Sequence, residues 1–296
     1  MTIDGVDPRR TNVYWPYGTA GDDLDPVVVS PEQAGWRFAG LRVVELAPGQ
    51  PRVLATGSDE MAVLPLAGSL VAEIEGQRFD LAGRDAVFSR VTDFAYAPID
   101  AEVRLSSSQG ARVALPSARA TRRLDPAYGP AEAVPVEVRG AGNATRQVNN
   151  FLRPDAFEAD KLIAVELLTP DGNWSSYPPH KHDEEREGEV VNEEIYYFEV
   201  AGDAGFAFHR LYTDDGELDE TETVRDGDVF LIPRGYHGPS VAAPGYELYY
   251  LNVLAGPADE RSMTFCDDPA HVWVREDWAR QDRDPRLPLT DAQGRR

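Results

Sequence analysis

Cysteine is almost absent from this chain, with Cys266 the only one. No intramolecular disulfide can form and no cysteine cluster can hold zinc or an iron-sulfur group, which suits a reducing compartment. Long apolar runs are missing as well. None approaches the roughly eighteen residues of a membrane helix, and Met1-Thr2-Ile3-Asp4-Gly5-Val6-Asp7 has no basic segment leading into an apolar one. A soluble, cytoplasmic protein is expected. Positive charge is scarce too: 29 Lys and Arg stand against 51 Asp and Glu, a formal charge of -22. That balance repels nucleic acid and the anionic face of a membrane. A small-molecule partner is expected instead, and an anionic one must be met by a local basic pocket. The oligomeric state stays open, a homo-oligomer included. Histidine is the last scarcity, with five in the chain and all of them beyond residue 179.

What the chain has in quantity is turn residues, 25 Gly and 23 Pro, set between short runs rich in Val, Leu, Ile, Tyr and Phe. Leu41–Leu46, Ala62–Leu66, Leu70–Ile74 and Val103–Leu105 are such runs in the first half. Leu162–Leu168, Ile195–Val200, Phe206–Tyr212, Asp228–Pro233 and Tyr246–Leu254 follow in the second. Extended 3.6-residue periodicity is lacking, so the pattern predicts an all-β sandwich or barrel. The halves share a plan. Leu64-Pro65-Leu66-Ala67-Gly68, Gly83–Phe88 and Pro98 are echoed by Ile195–Phe198, Asp226–Phe230 and Pro233, as in a duplicated barrel. Two domains are expected: residues 1–140, with a linker from about residue 116, and residues 141–296, ending in a surface arm from about Asp277.

His180 and His182 flank Lys181, and the period of two on a strand puts both imidazoles on one face and Lys181 on the other. Downstream, Glu194 opens the run Ile195–Phe198, and Gly227 leads through Pro233-Arg234-Gly235 to His237. This set resembles the two cupin motifs, in which His-x-His, a glutamate and a third histidine converge inside a small antiparallel barrel on one metal ion. The resemblance implies ligation by His180, His182, Glu194 and His237. Two spacings depart from the motifs. Eleven residues, Asp183 to Glu193, separate the second histidine from Glu194, and one residue rather than two separates Gly235 from His237. An insertion explains the first. Its acids Asp183, Glu184, Glu185, Glu187 and Glu189 read as a solvated run. His209 groups with Ala207 and Leu211 and reads as packing; His271 reads as structural, and Cys266 as a small buried hydrophobe. The first half has no histidine, so its barrel is expected to hold no such site. Gly140-Ala141-Gly142-Asn143 reads as a turn rather than a phosphate loop.

With those motifs placed, the chain is similar to the 5-deoxy-glucuronate isomerase family of inositol catabolism. The resemblance is carried by Trp174–Asp183, Phe206–Asp215, Gly235-Tyr236-His237, Tyr249–Val253 and Arg146–Asn150. It implies a bicupin of two jelly-roll barrels that turns 5-deoxy-glucuronate into 5-dehydro-2-deoxy-gluconate with a divalent metal, whether zinc, manganese, iron or nickel. A sugar acid is then the small-molecule partner. Moving a carbonyl from C1 to C2 needs polarisation of the aldehyde, for which a metal suffices as a Lewis acid, and an acid–base group near C2. Tyr250, Tyr196 and Glu193 are candidates, although alternation turns Glu193 away if Glu194 faces the metal. The substrate carboxylate calls for a cation. Arg210 offers one if its strand face, shared with Phe206, Phe208 and Tyr212, points inward; Arg146 offers another, and Asn252 a polar contact. Lys181 points the wrong way. A non-haem iron dioxygenase and a non-catalytic sugar-binding cupin fit the same donor set.

Overall fold

The structure, a computed structural model, describes residues 12–22 and 24–296. Met1–Asp7 lie outside the described residues. Among these no helix is long and apolar enough to cross a membrane, and the two α-helices, Pro31–Ala34 and Trp273–Trp278, are short.

The N-terminal barrel is organised by one 16-residue strand, Asp59–Ile74, which pairs with Phe94–Ala97 and Ala111–Arg119 along its first part and with Gln77–Arg84 and Glu102–Ser106 along its second. The runs expected as two strands are thus one bent strand. The bend is written in Leu64-Pro65-Leu66-Ala67-Gly68. Pro65 donates no hydrogen bond, the register slips just after it and again between Gly68 and Leu70, and Gly68 takes φ 83° where a Cβ would meet the Gly110 carbonyl oxygen at 2.5 Å. Inside, Val44, Leu46, Val63, Leu70, Ile74, Val103 and Leu115 fill the barrel. Among the described residues this core is apolar.

In the C-terminal barrel, a seven-stranded sheet centred on Glu193–Val200 and Leu248–Ala255 faces a six-stranded sheet centred on Ala207–Tyr212 and Tyr236–Ala242. Between them pack Val148, Val165, Tyr196, Phe198, Leu211, Phe230 and Tyr250. The other face of the seven-stranded sheet, carrying Ile195, Tyr197, Tyr249, Leu251 and Val253, packs against Leu41, Val43, Leu64, Leu66 and Ala114 of the first barrel. Both faces of that sheet are therefore buried, which is why these strands read as unbroken apolar runs rather than alternating ones.

Buried carboxylates tie the halves together. Glu60 accepts the Tyr96 hydroxyl and the backbone N–H groups of Asp160, Lys161 and Leu162 at 2.5–2.8 Å. Glu193 accepts those of Arg37, Phe38 and Ala39 at 2.7–2.9 Å. Arg84 pairs with Glu166, and Arg112 with Glu199 at 2.6 Å.

One expectation about the chain's organisation differs from what is seen. Val136–Arg139 forms a hairpin with Arg146–Asn149 in the C-terminal sheet, so the division at 140/141 falls inside a hairpin and the last strand of the first barrel is Ala127–Gly129. The arm beyond Asp277 runs over the surface but is anchored at one buried point. Leu289 and Thr290 are buried, the Gln147 side chain accepts their backbone N–H groups at 2.8 and 3.1 Å, and Val91 N–H donates to Asp291 at 3.0 Å. The opposite end crosses over as well, since Tyr14–Trp15 adds a strand to the C-terminal sheet beside Val229–Ile232.

Candidate metal centre

Alternation along Glu193–Val200 decides the site. Glu194, Tyr196 and Phe198 enter the barrel; Glu193, Ile195, Tyr197 and Glu199 face the first domain. Tyr196 stands directly across from Asn252 on the neighbouring strand. From the opposing sheet, His180 and His237 are cross-strand partners whose rings lie 4.4 Å apart. His182 reaches the same point from the residue after the strand His180–Lys181.

The ligand atoms of His182, Glu194 and His237 come within 4.8 Å of one another, all three residues buried. Glu194 Oε2 lies 3.0 Å from His182 Nε2 and 2.9 Å from His237 Nε2. His180 stands beside this triad rather than inside it, packed on Phe265 at 4.5 Å between ring centroids. Both first-motif histidines turn Nδ1 toward a backbone carbonyl: His182 toward Asn192 at 3.0 Å and His180 toward Pro178 at 3.3 Å. A ring that donates its Nδ1–H in this way presents a lone pair at Nε2.

That arrangement tests the donor set for a metal. A neutral His182 would set its Nε2 lone pair against the Glu194 carboxylate, which is repulsive unless a cation, proton or metal, lies between them. His237 is fully buried, and neither of its nitrogens has a hydrogen-bond partner despite the short approach of Glu194. Adjacent ligands on a first-row ion, at about 2.1 Å from it, lie roughly 3 Å apart, close to the spacing seen. The residues fit a divalent metal. Electrostatics agree. His237 and His182 hold the Glu194 carboxyl well below the usual carboxylate range despite its burial, while burial and the neighbouring His237 keep His180 neutral.

Asn252 steadies the carboxylate, donating Nδ2 to Glu194 Oε1 at 2.8 Å and leaving its own buried Oδ1 without a partner. The insertion supplies no carboxylate to the centre; its contribution is Asn192, whose carbonyl faces His182 Nδ1. It is cinched by a backbone hydrogen bond from Asn192 N–H to the His182 carbonyl, 2.9 Å. Glu184, Glu185 and Glu187 are exposed, but Glu189 and Asp183 correct the reading of a solvated run. Glu189 is buried and accepts Lys181 Nζ, Arg186 Nε and the N–H groups of Asp183 and Glu184 at 2.7–3.1 Å; Asp183 accepts Gly235 N–H at 2.7 Å. Lys181 points away from the triad, as alternation requires.

A cavity opens on the centre, lined by His180, His182, Glu194, Tyr196, Asn252, Ser176 and three arginines, Arg139, Arg146 and Arg275. Arg139 and Arg275 are already paired, with Glu137 and Asp267. Arg146 has no carboxylate partner among the described residues. It is fully buried, gives Nη1 to the carbonyls of Ala144 and Tyr177 at 3.1 and 3.4 Å, lies 5.5 Å from the Trp278 ring and leaves Nε without a partner. Burial pushes it down to about 10.

Arg210 is a correction. Its strand turns Ala207, His209 and Leu211 inward, so Arg210 is on the outer face, bonded to Asp219 at 2.9–3.0 Å and stacked over Tyr212 at 4.2 Å. Tyr250 is another. It does not line the cavity; its hydroxyl meets Ser175 at 2.5 Å and Ser176 at 3.0 Å behind the wall. Glu193 is committed to the domain interface and is no base. Among the residues that sequence reasoning passed over, Ser176 and Arg275 line the cavity. Ser176 lay within the segment Trp174–Asp183 that carried the family resemblance, but a serine after a short strand has no signal of its own. His209 behaves as read, buried among Tyr196, Phe198 and Phe230, with burial pulling it down to about 3.

A model of the KduI/IolB family matches residues 19–274. The chain is 40% identical over 264 residues to a 5-deoxy-glucuronate isomerase of Geobacillus kaustophilus, covering 88% of this chain and 94% of that one. Among solved structures it is similar to an IolB-like protein of Salmonella typhimurium, with TM-score 0.83, 33% identity and coverage of 89% of this chain and 99% of that one. An oxalate decarboxylase of Lactobacillus farciminis shares the fold at TM-score 0.60 and 14% identity over 84% and 87% of the two chains.

Proposed function

This chain belongs to the KduI/IolB family, an isomerase family of inositol catabolism, and from that premise we propose that it isomerises 5-deoxy-glucuronate to 5-dehydro-2-deoxy-gluconate at the centre around Glu194. It is a bicupin, with the site in its second barrel. His182, Glu194 and His237 would hold a divalent ion, zinc, manganese, iron or nickel, with His180 as the fourth donor. Such an ion supplies Lewis-acid stabilisation of the charge that develops on the two substrate oxygens.

The rest is the work of the chain itself. Arg146 takes the substrate carboxylate, replacing the carboxylate partner that this buried guanidinium lacks. Arg139 and Arg275 also line the cavity, but each is neutralised by its own carboxylate, so the positive charge that an anionic substrate needs comes from Arg146. Asn252 fixes Glu194 and offers its free Oδ1 to a substrate hydroxyl. The observation that carries this reading is one cavity lined both by His182 and Glu194 of the buried His–Glu–His cluster and by a buried arginine with no carboxylate partner among the described residues. A single cysteine suits the reducing cytoplasm in which such a catabolic enzyme would work.

The test is an anaerobic assay of the metal-loaded protein with 5-deoxy-glucuronate, following loss of the aldehyde and appearance of the ketone. Conversion without oxygen is expected. Turnover only with oxygen would instead place the chain among dioxygenases, and saturable binding without turnover would make it a sugar-binding protein.

A further inference from the structure

Aldose–ketose isomerisation moves two hydrogens. One travels from C2 to C1; the other, the proton of the O2 hydroxyl, must leave O2 and arrive at O1, whichever way the carbon-bound hydrogen goes. Nothing in the proposed function assigns a carrier for that oxygen-bound proton.

The cavity wall holds a line of hydroxyls. Ser176 Oγ lies 3.1 Å from the Tyr196 hydroxyl and 3.0 Å from the Tyr250 hydroxyl, which in turn meets Ser175 Oγ at 2.5 Å. All four residues are buried, yet only Ser176 and Tyr196 reach the cavity, beside Glu194 and Asn252. Ser176 is held there against its own preference. It has φ 47°, a left-handed backbone that a serine rarely adopts. Its carbonyl oxygen packs on Gly238, where a Cβ would sit 1.9 Å away, so the residue after His237 has to be glycine for Ser176 to keep this position. This close approach fixes Ser176 beside His237, a donor of the metal centre.

We propose that Ser176 and Tyr196 are catalytic residues that carry the hydroxyl proton between O2 and O1 of the substrate, with Tyr250 and Ser175 as positioning residues behind them. As the O2–H bond breaks, its proton bonds to Ser176 Oγ; the Ser176 proton passes to the Tyr196 oxygen, and the Tyr196 proton passes to O1. Each hydroxyl gains one proton and loses one, so no charge is left on the protein and no external acid or base is consumed. The relay rests on the isomerase reading and serves a hydride shift and an enediol path equally.

The experiment compares wild type with Ser176→Gly, Tyr196→Phe and Tyr250→Phe, all metal-loaded, by single-turnover rates in mixtures of light and heavy water. Glycine adopts the Ser176 backbone freely, so that variant removes the hydroxyl without adding strain. Ser176→Gly and Tyr196→Phe should each slow turnover by about a hundredfold, with KM within about threefold and with metal content and melting temperature unchanged. Tyr250→Phe should cost about tenfold or less. The wild-type rate should bow downward with deuterium fraction, because several exchangeable protons move together, and the bow should flatten in the first two variants. Ser176→Gly within about threefold of wild type would overturn the relay while leaving the isomerase reading intact, as would a straight wild-type plot. If Ser176→Gly fails to fold, Tyr196→Phe decides by the same criteria. A wild-type chain that does not convert the sugar acid overturns both.

Discussion

Replacing Arg146 with Met should separate stability from binding. The guanidinium is fully buried without an ionic partner, and burial pushes it down to about 10 from its usual 12.5, a bias of about 3 kcal/mol against the charged form. Methionine keeps most of the apolar stem and removes the charge, at the loss of the guanidinium's place over the Trp278 ring, so the free protein should melt at the wild-type temperature or a few degrees above it. Its two bonds to the carbonyls of Ala144 and Tyr177 are at the long end of the range and offset part of the gain. Substrate binding should suffer. Losing one partner of a buried, hydrogen-bonded charge pair costs roughly 3–4 kcal/mol, or two to three orders of magnitude in kcat/KM. Because the carboxylate is remote from the reacting carbons, the loss should fall mainly on KM, with kcat within a few-fold. Steady-state kinetics with 5-deoxy-glucuronate and with a neutral analogue bearing a hydroxymethyl group in place of the carboxylate would read this. The neutral analogue should be nearly indifferent, and Arg210→Lys should change neither substrate, since Arg210 lies outside. An Arg146→Met enzyme that loses equally on both substrates, or loses kcat alone, would refute the clamp.

Elemental analysis should find about one divalent ion per chain, lost in Glu194→Gln, His182→Ala and His237→Ala but kept in Glu193→Gln; partial retention in His180→Ala would fit its place beside the triad. Affinity for the ion should fall on acidification, because protons compete for the same nitrogens; isothermal titration at two pH values would check it. Glu166→Gln should destabilise the chain by about 3–5 kcal/mol, as it leaves the fully buried Arg84 unpaired, and the double variant Arg84→Met, Glu166→Leu should be less affected than Glu166→Gln alone in urea unfolding. His209 is held down to about 3 against an unfolded value of 6.5, so below pH 6.5 the unfolded chain binds a proton that the folded one does not. Stability should therefore fall as pH drops from about 6.5 toward 3, by on the order of 4 kcal/mol if this residue acts alone. The urea midpoint of His209→Phe should show a shallower slope over that window.

Much of the centre was legible because its donors carry local signals. Strand alternation puts His180 and His182 on one face and Glu193 and Glu194 on opposite faces, and the structure has Glu194 inward and Glu193 on the backbone N–H groups of residues 37–39. The absence of histidine from the first half is likewise read directly from the sequence. What alternation cannot decide is which face of a strand is the inside. For Ala207–Tyr212 that choice belongs to the sheet packed against it, and it sent Arg210 out and His209 in. Depth is likewise a tertiary property: Tyr250 and Tyr196 sit on adjacent strands of one sheet, yet a serine from another strand covers the first and leaves the second facing the cavity. The acids of the insertion were indistinguishable by type. Only the fold gave Glu189 four donors and left Glu187 in water. The arm beyond Asp277 read as surface from its charge and prolines, and was docked by Gln147, a residue more than 140 positions earlier in the chain. Local chemistry and period thus marked the candidate donors and the alternation of their strands, while the gathering of His182, Glu194 and His237 at one point waited on the packing of the two sheets.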